Sequence, residues 1–403
     1  MKKTIFTVLM GASLLVLTYG CSERKQETSS GDINIGIILG FTGPIESLTP
    51  TMASSAEMAF KEATDAGILD GSKLNPMRAD STCVDAAAAT SAAERLVTSD
   101  NVAAIMGADC SGVTTAVANN VAVPNGVTII SPSATSPALT TIEDKGFFFR
   151  TAPSDARQGQ ILAEVVMDRG IKKLAVTYTN NDYGKGLSDS FVGAFKAMGG
   201  EVTIEVPHED GKADYSAEVS TLSASGASEL AVLGYLDQGG RGIIQNSLDS
   251  GAFSRFILAD GMIGQSLVDN IDGDLTGTFG TMPGNDSPGS AMFIEMASAN
   301  GIPGDGPYEQ ESYDAAALIA LAMQAGGSAD RSSIANNVMN VANAPGTEIY
   351  PGELAKAFGI LKDGGAVNYQ GATMVEFSDV GEASGSYKEL EIGSGKFNTV
   401  QIR

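Results

Sequence analysis

Residues 33–44 read Ile-Asn-Ile-Gly-Ile-Ile-Leu-Gly-Phe-Thr-Gly-Pro, and the predicted fold starts from this stretch. Its first part, Ile33–Leu39, is an apolar run typical of a buried strand, and Gly40 ends the run. Farther along, Pro50–Ala66 carries apolar residues at helical spacing, which predicts a helix with one buried face. The residues on that face are Met52, Ala56, Ala59, Phe60 and Ala63. The opening therefore predicts a strand, a turn and a helix.

Strand and helix patterns continue to alternate beyond this unit. The further predicted strands are Val102–Met106, Val127–Ile130, Leu174–Thr179, Glu201–Val206, Glu229–Tyr235 and Phe256–Ala259. The further predicted helices are Cys83–Leu96, Gly112–Val121, Gly184–Met198, Tyr215–Ala224, Gly239–Ser250, Glu309–Ala325, Ser332–Ala342 and Glu353–Ile360. A repeated order of strand and helix predicts an α/β fold with parallel sheets. The units form two sets that divide near residue 153, each the size of one doubly wound domain.

The composition excludes several classes of function. The chain has 25 Lys and Arg against 48 Asp and Glu, and its net charge of −23 argues against nucleic-acid binding, which needs clustered cations. The single histidine, His208, argues against histidine-based metal sites and Ser–His–Asp catalysis, and its acidic neighbours favour a solvated loop position. Pro44 removes a backbone amide that a pyrophosphate-binding turn would use. We therefore expect no metal, no cofactor and no catalytic site.

The N-terminus has the pattern of an export signal. Two lysines precede the mostly apolar, uncharged run Thr4–Tyr19, which predicts a signal peptide over residues 1–20. Cys21 follows a small residue, as in bacterial lipoprotein signals, although Tyr19 is bulkier than that pattern prefers. Residues 21–31 have the composition of a flexible tether. We expect an acylated Cys21 and a protein anchored at an extracytoplasmic or periplasmic membrane face; the alternative is ordinary secretion.

Several motifs of the mature chain occur in an order known from one family. They are Gly36–Pro44 with Ala59–Ala63, Asp109–Gly112, Ile130–Thr135, Asn181–Gly186 and Tyr313–Ala316. Together they resemble the Leu/Ile/Val-binding type of ABC-transporter solute-binding protein over nearly the whole mature chain. The resemblance implies a two-lobed periplasmic-binding-protein fold of type I, with a doubly wound parallel sheet in each lobe and hinge crossovers between the lobes. We expect lobe 1 to comprise residues 32–153 plus 284–366, and lobe 2 to comprise 154–283 plus 367–403.

The resemblance assigns the charged groups of an amino-acid ligand to turns that follow strands. Ser111 would offer its hydroxyl and nearby amides to a carboxylate, or would be a plain helix N-cap. Ala134 and Thr135 would offer backbone groups and a hydroxyl to both charged ends of the ligand. Asp260 would pair with the ammonium, since an unpaired charge in a dry cleft is costly. It is one methylene shorter than the Glu of the Leu/Ile/Val binders, and it could instead be a surface turn residue.

The walls of the predicted pocket come from aromatic and aliphatic residues. Tyr183 and Tyr235 would line the cleft, or would be aromatics at the edge of the core. Leu48 stands where the family often has an aromatic, and Tyr308 matches another pocket aromatic. Three extra acids near the site loops would give the ligand a polar or cationic end, or would belong to the solvated surface. These acids are Asp155, Glu309 and Glu311.

The same resemblance implies a disulfide between Cys83 and Cys110. An exported, oxidising compartment allows such a bond, which would hold Cys110 beneath the ligand. The alternative is a pair of buried free thiols. With Cys21 acylated, the disulfide would account for all three cysteines of the chain.

The function implied is that of an extracytoplasmic solute-binding protein of an ABC importer, without enzymatic activity. It would bind an amino acid or a close analogue by hinge closure and deliver it to a membrane ABC permease. Three alternatives stay open at this point: a ligand-sensing subunit for a receptor or kinase, an enzyme on the same fold, and a binder of urea, amides or small carboxylates.

Overall fold

The structure is a computed structural model that describes residues 31–403. The predicted signal peptide, Cys21 and the tether up to residue 30 lie outside the described residues. The strands are β1 Asp32–Leu39, β2 Lys73–Asp80, β3 Ala104–Gly107, β4 Thr128–Ser131, β5 Phe148–Arg150, β6 Lys173–Thr179, β7 Glu201–His208, β8 Leu230–Leu233, β9 Phe256–Leu258, β10 Phe279–Pro283, β11 Thr347–Ile349, β12 Val367–Tyr369, β13 Tyr387–Gly393 and β14 Lys396–Ile402. The α-helices are α1 Thr49–Asp65, α2 Ile68–Gly71, α3 Ala86–Glu94, α4 Ser111–Val117, α5 Asp155–Asp168, α6 Asp182–Ala197, α7 Ser216–Ser223, α8 Gly239–Ser250, α9 Gln265–Asp269, α10 Pro288–Ala299, α11 Glu309–Gly326, α12 Arg331–Ala342 and α13 Leu354–Lys362.

The first lobe is built on a parallel sheet with the strand order β2-β1-β3-β4-β5. Strand β1 lies inside this sheet because its second half is apolar on both faces, and Ile37 and Ile38 are both fully buried. Gly107 at the end of β3 has a φ of +120°, and a Cβ there would lie 2.1 Å from the carbonyl oxygen of Ile38. The close approach of β3 to β1 therefore requires glycine.

The second lobe is built on a mixed sheet with the order β14-β13-β10-β9-β8-β6-β7. Strands β6 to β10 pair in parallel, whereas β13 joins β10, and β14 joins β13, in antiparallel pairs. The predicted α/β fold with two lobes and doubly wound sheets is confirmed.

The chain passes between the two sheets after β5, after β10 and again between β12 and β13. Between the last two passes, α11 packs against α1, α12, β3 and β4 of the first lobe. Helix α11 is buried continuously from Glu309 to Met323, as expected for a helix covered on all sides. We propose that these three passes form the hinge between the lobes. Because β12 pairs with β11 of the first lobe, the third pass follows residue 369, a little later than the expected boundary at residue 366.

Strand β2 was not predicted from the sequence, and the start of α3 was predicted too early. Strand β2 contains Pro76 and charged residues, which an edge strand tolerates because it pairs on one side only. Cys83 was predicted to start a helix, but it lies in the turn before α3, which begins at Ala86. The Asp85 side chain caps that helix by accepting hydrogen bonds from the amides of Ala87 and Ala88.

His208 is not the solvated loop residue that its acidic neighbours suggested. It is the last residue of β7 and is only 1% exposed, so the prediction was wrong. Its Nδ1 lies 2.8 Å from the hydroxyl of Thr177, and its ring packs edge-on against Tyr215. Burial lowers the pKa of His208 to about 4. The acidic residues after His208 do belong to the turn, but the strand continues far enough to bury the imidazole.

We expect the His208 imidazole to titrate near pH 4 in the folded protein, against 6.5 for an unperturbed imidazole. The unfolded chain takes up the proton at the higher pH, so the contribution of His208 to stability is complete above pH 6.5 and is lost as the pH falls from 6.5 to 4. An NMR titration of the ring protons of residues 32–403, which hold no other histidine, measures this pKa. The same titration in urea is the control. A folded-state midpoint near the unfolded value would contradict the buried position.

Candidate functional site

A small cavity lies between the two lobes, at the carboxyl ends of their parallel strands. Its volume is about 20 Å³. The lining residues are Ile45, Leu48, Met52, Asp109, Cys110, Ser111, Ser133, Tyr183, Tyr235, Asp260, Gly261 and Tyr308. Open α/β sheets bind ligands beyond the carboxyl ends of their strands, so this cavity is the candidate site.

Asp260 supplies a buried carboxylate to the cavity. It begins the 3-10 turn that follows β9 and is 2% exposed, so it is not a surface turn residue. Its Oδ1 accepts a hydrogen bond of 3.0 Å from the hydroxyl of Tyr183, and its Oδ2 accepts one from the hydroxyl of Tyr308. Burial raises the pKa of Asp260, and the two tyrosine hydrogen bonds oppose that rise. The carboxylate is thus held between donors from different parts of the chain.

The two predicted cleft tyrosines form one wall of the cavity. Tyr183 and Tyr235 stack with ring centroids 5.0 Å apart and planes at 17°. Tyr235 lies in the turn after β8 rather than on the strand. The hydroxyl oxygen of Tyr183 also accepts a hydrogen bond of 3.1 Å from the backbone amide of Gly261. These bonds fix the ring of Tyr183 beside Asp260.

Ser111 and Ser133 bring hydroxyl groups to the cavity from the first lobe. Ser111 is the first residue of α4, with Cys110 in the N-cap position, and its Oγ accepts a hydrogen bond of 3.1 Å from the amide of Ser136. Ser133 was not among the predicted site residues, although it lies within the Ile130–Thr135 motif. Its Oγ donates to the backbone carbonyl of Asp109 over 3.1 Å.

Ala134 and Thr135 do not line the cavity. The amide of Ala134 donates to Ser131 Oγ over 3.0 Å, and its carbonyl accepts from Arg150 over 3.0 Å, so both backbone groups already have partners. Thr135 is fully buried, and its hydroxyl lies beside the carboxyl group of Asp155. The structure thus places Ser133 where the sequence had suggested Ala134.

The cavity is also lined by a second acid, Asp109, and by a patch of aliphatic side chains. Asp109, which sequence reasoning missed as a site residue, accepts hydrogen bonds from the amide of Gly40 and, over 2.8 Å, from the hydroxyl of Ser81. Burial raises the pKa of Asp109. Its place just before Cys110 and Ser111 in one motif was the signal that could have identified it. The aliphatic patch comes from the turn after β1 and the start of α1, and consists of Ile45, Leu48 and Met52.

The predicted disulfide between Cys83 and Cys110 is present, with the two Cα atoms 5.1 Å apart. It joins the turn after β2 to the start of α4. Because Cys110 and the adjacent Ser111 line the cavity, the bond fixes the floor of the site.

None of the three extra acids lies on the cavity, and none is a solvated surface residue. Glu309 accepts hydrogen bonds from the amides of Gly304 and Gly306, over 2.6 and 3.2 Å. Burial raises the pKa of Glu311 to about 8. Asp155 is fully buried. The surface interpretation of these acids was therefore wrong.

Contacts across the cleft also join the lobes outside the cavity. The amide of Asp237, in the turn after β8, donates to the carbonyl of Pro44 over 3.0 Å. Its carboxylate accepts from the amide of Ser47 over 2.9 Å and from the hydroxyl of Ser266 over 2.8 Å. Asp237 thus ties the loop after β1 to the second lobe.

Residues 31–403 contain no group of three or more His, Cys, Asp or Glu side chains placed to hold a metal ion. Over the same span, no helix has the length and apolar character needed to cross a membrane.

Residues 32–367 match the family model described as "Periplasmic binding protein". The chain is 30% identical over 342 residues to Leu/Ile/Val-binding protein homolog 1 of Brucella melitensis. The aligned region covers 83% of this chain and 87% of that protein.

Two solved structures share the fold. One is a branched-chain amino acid transporter substrate-binding protein from Streptococcus pneumoniae in complex with isoleucine, with a TM-score of 0.76, 22% identity, and coverage of 92% of this chain and 99% of that chain. The other is a solute-binding protein of an ABC transporter from R. palustris in complex with 4-hydroxybenzoate, with a TM-score of 0.73, 19% identity, and coverage of 92% and 97%. This fold therefore binds both amino acids and aromatic acids.

Replacing Cys83 and Cys110 by alanine is expected to lower the free energy of unfolding by about 3–4 kcal/mol, because the bond closes a loop in the unfolded chain. Urea denaturation without reductant measures the difference. Adding reductant should destabilise the unmodified protein and leave the double variant unchanged. Equal stability of the two proteins without reductant would contradict the bond.

The Tyr308→Phe substitution is expected to lower the free energy of unfolding by about 1–3 kcal/mol, because it removes a donor from the buried carboxylate of Asp260. Urea denaturation measures this change as well. Tyr350→Phe is the matched control, because the Tyr350 hydroxyl also donates to an acid, Glu348, but at an exposed position. An equal fall in the free energy of unfolding in the two variants would show that the hydrogen bond from Tyr308 to Asp260 contributes no more than an exposed one.

Proposed function

The chain belongs to the periplasmic binding protein family, and we propose that it captures an aliphatic amino acid in the cleft between its lobes for an ABC importer. As a solute-binding protein of the ABC-transporter type, it takes up a small molecule outside the cytoplasm and is not an enzyme.

The observation that carries the proposal is the buried carboxylate of Asp260 in a cavity that no lysine or arginine of the described residues lines. A ligand with only a carboxylate would add negative charge to a cavity that Asp109 and Asp260 already line, without a cation to receive it. An ammonium group, by contrast, would pair with Asp260 and relieve the cost of burying its charge. A zwitterion therefore fits the cavity better than an aromatic acid does.

The other lining groups support the remaining parts of such a ligand. The hydroxyl of Ser111, which accepts from the amide of Ser136, can donate its own proton to a carboxylate on the first-lobe side. The aliphatic patch of Ile45, Leu48 and Met52 suits an apolar side chain, whose burial contributes about 25 cal/mol per Å². Glu309 and Glu311 do not line the cavity, and Asp109, which does, already accepts hydrogen bonds from the amide of Gly40 and the hydroxyl of Ser81. The lining therefore favours an uncharged side chain over a cationic one.

Binding on this proposal requires the lobes to separate and close. A cavity of about 20 Å³ holds roughly one water molecule. An amino acid can enter only if the lobes part at the three hinge passes, which breaks the contacts of Asp237 with Pro44 and Ser47. Closure around the ligand then presents both lobes together, and the permease can recognise this form.

We also propose that the protein is anchored to the membrane. Cys21 would carry the lipid, and residues 21–31 would let the folded part reach a permease in the same membrane. Membership in the family implies the extracytoplasmic location itself.

A thermal-denaturation screen of residues 32–403 tests the proposed ligand class. At about 100 times its Kd, a ligand adds about 2.7 kcal/mol to the free energy of unfolding. We expect leucine, isoleucine or valine to raise the midpoint, whereas benzoate, 4-hydroxybenzoate, urea and acetamide leave it unchanged.

Variants connect that result to the site. Asp260→Asn should abolish the amino-acid shift, since it removes the carboxylate that faces the ammonium. Asp269→Asn is the matched control, because Asp269 lies on the exposed side of the short helix α9 of the same lobe. A midpoint raised by an aromatic acid and by no amino acid would overturn the proposed function.

A further inference from the structure

Asp237 joins the two lobes from a position outside the cavity. It lies in the turn after β8 of the second lobe, is 8% exposed, and does not belong to the cavity lining. Its Oδ2 accepts a hydrogen bond of 2.9 Å from the amide of Ser47, and its own amide donates to the carbonyl of Pro44 over 3.0 Å. Both partners belong to the turn after β1 in the first lobe. Any effect of Asp237 on a ligand in the cavity therefore passes through the arrangement of the lobes.

In the part of the first lobe that the structure describes, these two backbone groups have no other hydrogen-bond partner. Neighbouring groups of the same turn bond to each other instead: the amide of Leu48, for example, donates to the carbonyl of Ile45 over 3.0 Å. Backbone donors and acceptors are nearly always paired, either with the protein or with water. When the lobes part, the Ser47 amide and the Pro44 carbonyl must therefore bond to water, and they regain a protein partner on closure.

The second lobe holds the Asp237 carboxylate in place for this contact. The hydroxyl of Ser266, in the first turn of α9, donates to Oδ1 of Asp237 over 2.8 Å, which leaves Oδ2 for the amide of Ser47. Asp237 and Ser266 belong to the same lobe, so their bond does not depend on closure. The acceptor is thus oriented before the first lobe arrives, which reduces the entropy lost when the contact forms.

The lobes also pack closely beside this hydrogen bond. Gly264 precedes α9, and a Cβ there would lie 3.1 Å from Cδ2 of Leu48 and 2.7 Å from Cδ1 of Leu236. The missing side chain at Gly264 lets Leu48 of the first lobe approach the second lobe. Apolar groups next to a hydrogen bond lower the local dielectric constant and strengthen the bond.

We propose that Asp237 is an interlobe latch, whose hydrogen bond to the Ser47 amide sets how long a ligand stays in the closed cleft without selecting which ligand enters. This inference rests on the proposed function. The bond forms on closure and breaks on opening, so it stabilises the closed form by the same amount for every ligand. Because Ser47 is exposed, water replaces the broken bond, and the net effect is modest enough for the latch to release.

The test is the Asp237→Ala substitution in residues 32–403, with leucine and valine as ligands. Isothermal titration calorimetry gives the Kd of each, and a chase of bound radiolabelled leucine with unlabelled leucine gives its rate of release. We expect the release rate and both Kd values to rise about 10-fold, because a hydrogen bond to a charged acceptor is lost from the closed form. The association rate should change less than about 3-fold, since the ligand enters the open form. The ratio of the two Kd values should change less than about 2-fold.

Three further variants serve as controls. Asp269→Ala removes an exposed acid of α9 in the same lobe, which bonds only to Gln265 of its own helix, and it should leave all these values unchanged. Met52→Ala enlarges the cavity at its aliphatic patch and should change the ratio of the leucine and valine Kd values. Asp237→Asn keeps one acceptor oxygen without the charge, so we expect a rise in release rate of about 3-fold. This variant serves as the test if Asp237→Ala does not fold.

Small-angle X-ray scattering of the protein without ligand measures the latch independently of binding. We expect a larger radius of gyration in Asp237→Ala than in the unmodified protein and in Asp269→Ala, because a smaller fraction of the molecules has its lobes together. A residue that stabilised only its own lobe would not change this radius.

The outcomes that would overturn the inference can be told apart from a failure of the proposed function. Equal release rates in Asp237→Ala and Asp269→Ala would overturn the latch while leucine binding stands. So would a change in the ratio of Kd values as large as that in Met52→Ala, because Asp237 would then act on the shape of the cavity. If the unmodified protein binds neither amino acid, the proposed function fails, and the radius of gyration alone decides: equal radii overturn the latch, and a larger radius in Asp237→Ala supports it.

Discussion

The burial of the Asp260 carboxylate between two lobes is the constraint on which the site depends. A buried charge is tolerable only when it is hydrogen-bonded, and the donors of Asp260 come from both sides of the cleft. Tyr183 follows β6 of the second lobe, whereas Tyr308 leads into α11, which packs in the first. The carboxylate is therefore best satisfied when the lobes are together. The group proposed to attract the ligand thus also favours the closed arrangement.

The first lobe holds its half of the site through contacts that lie beneath it. Arg150 is fully buried, forms an ion pair with Glu382 from the third hinge pass, and donates to two carbonyls of the site loop. The disulfide of Cys110 holds the start of α4, and Asp109 holds the turn after β1. A buried ion pair contributes little net stability on its own, but losing one partner is costly because the other charge stays buried. Arg150 thus couples the position of the site loop to the hinge.

The fold and the outline of the site could be predicted because both depend on local pattern. Apolar strand runs such as Ile33–Leu39 and helical periodicity give the order of elements, and that order leaves few topologies for parallel sheets. Ser111, Tyr183, Tyr235 and Asp260 could be named because the resemblance to the Leu/Ile/Val-binding type marks these turns, which follow strands, where such sheets place their ligands. His208 was placed wrongly, because acidic neighbours in the sequence say nothing of where its strand ends. Ser133 was passed over for Ala134 because which of two adjacent residues faces a cavity depends on the twist of a single turn.

By itself, the sequence determined an exported, acidic α/β protein with two sheets, a cysteine pair and a set of turn residues that meet at one edge of each sheet. The export signal, the acidity and the two sheets follow from composition and periodicity, which act over a few residues, whereas the cysteine pair and the turn residues follow from the resemblance to the Leu/Ile/Val-binding type. Only the tertiary structure decided the surroundings of the individual acids. Asp155, Glu309 and Glu311 look alike in sequence, but packing buries Asp155 completely within reach of the charge of Asp260, gives Glu309 two amide donors and keeps Glu311 off the cavity. The reason is physical: the free energy of a carboxylate depends on the donors and charges around it in space, and residues far apart in the chain supply them.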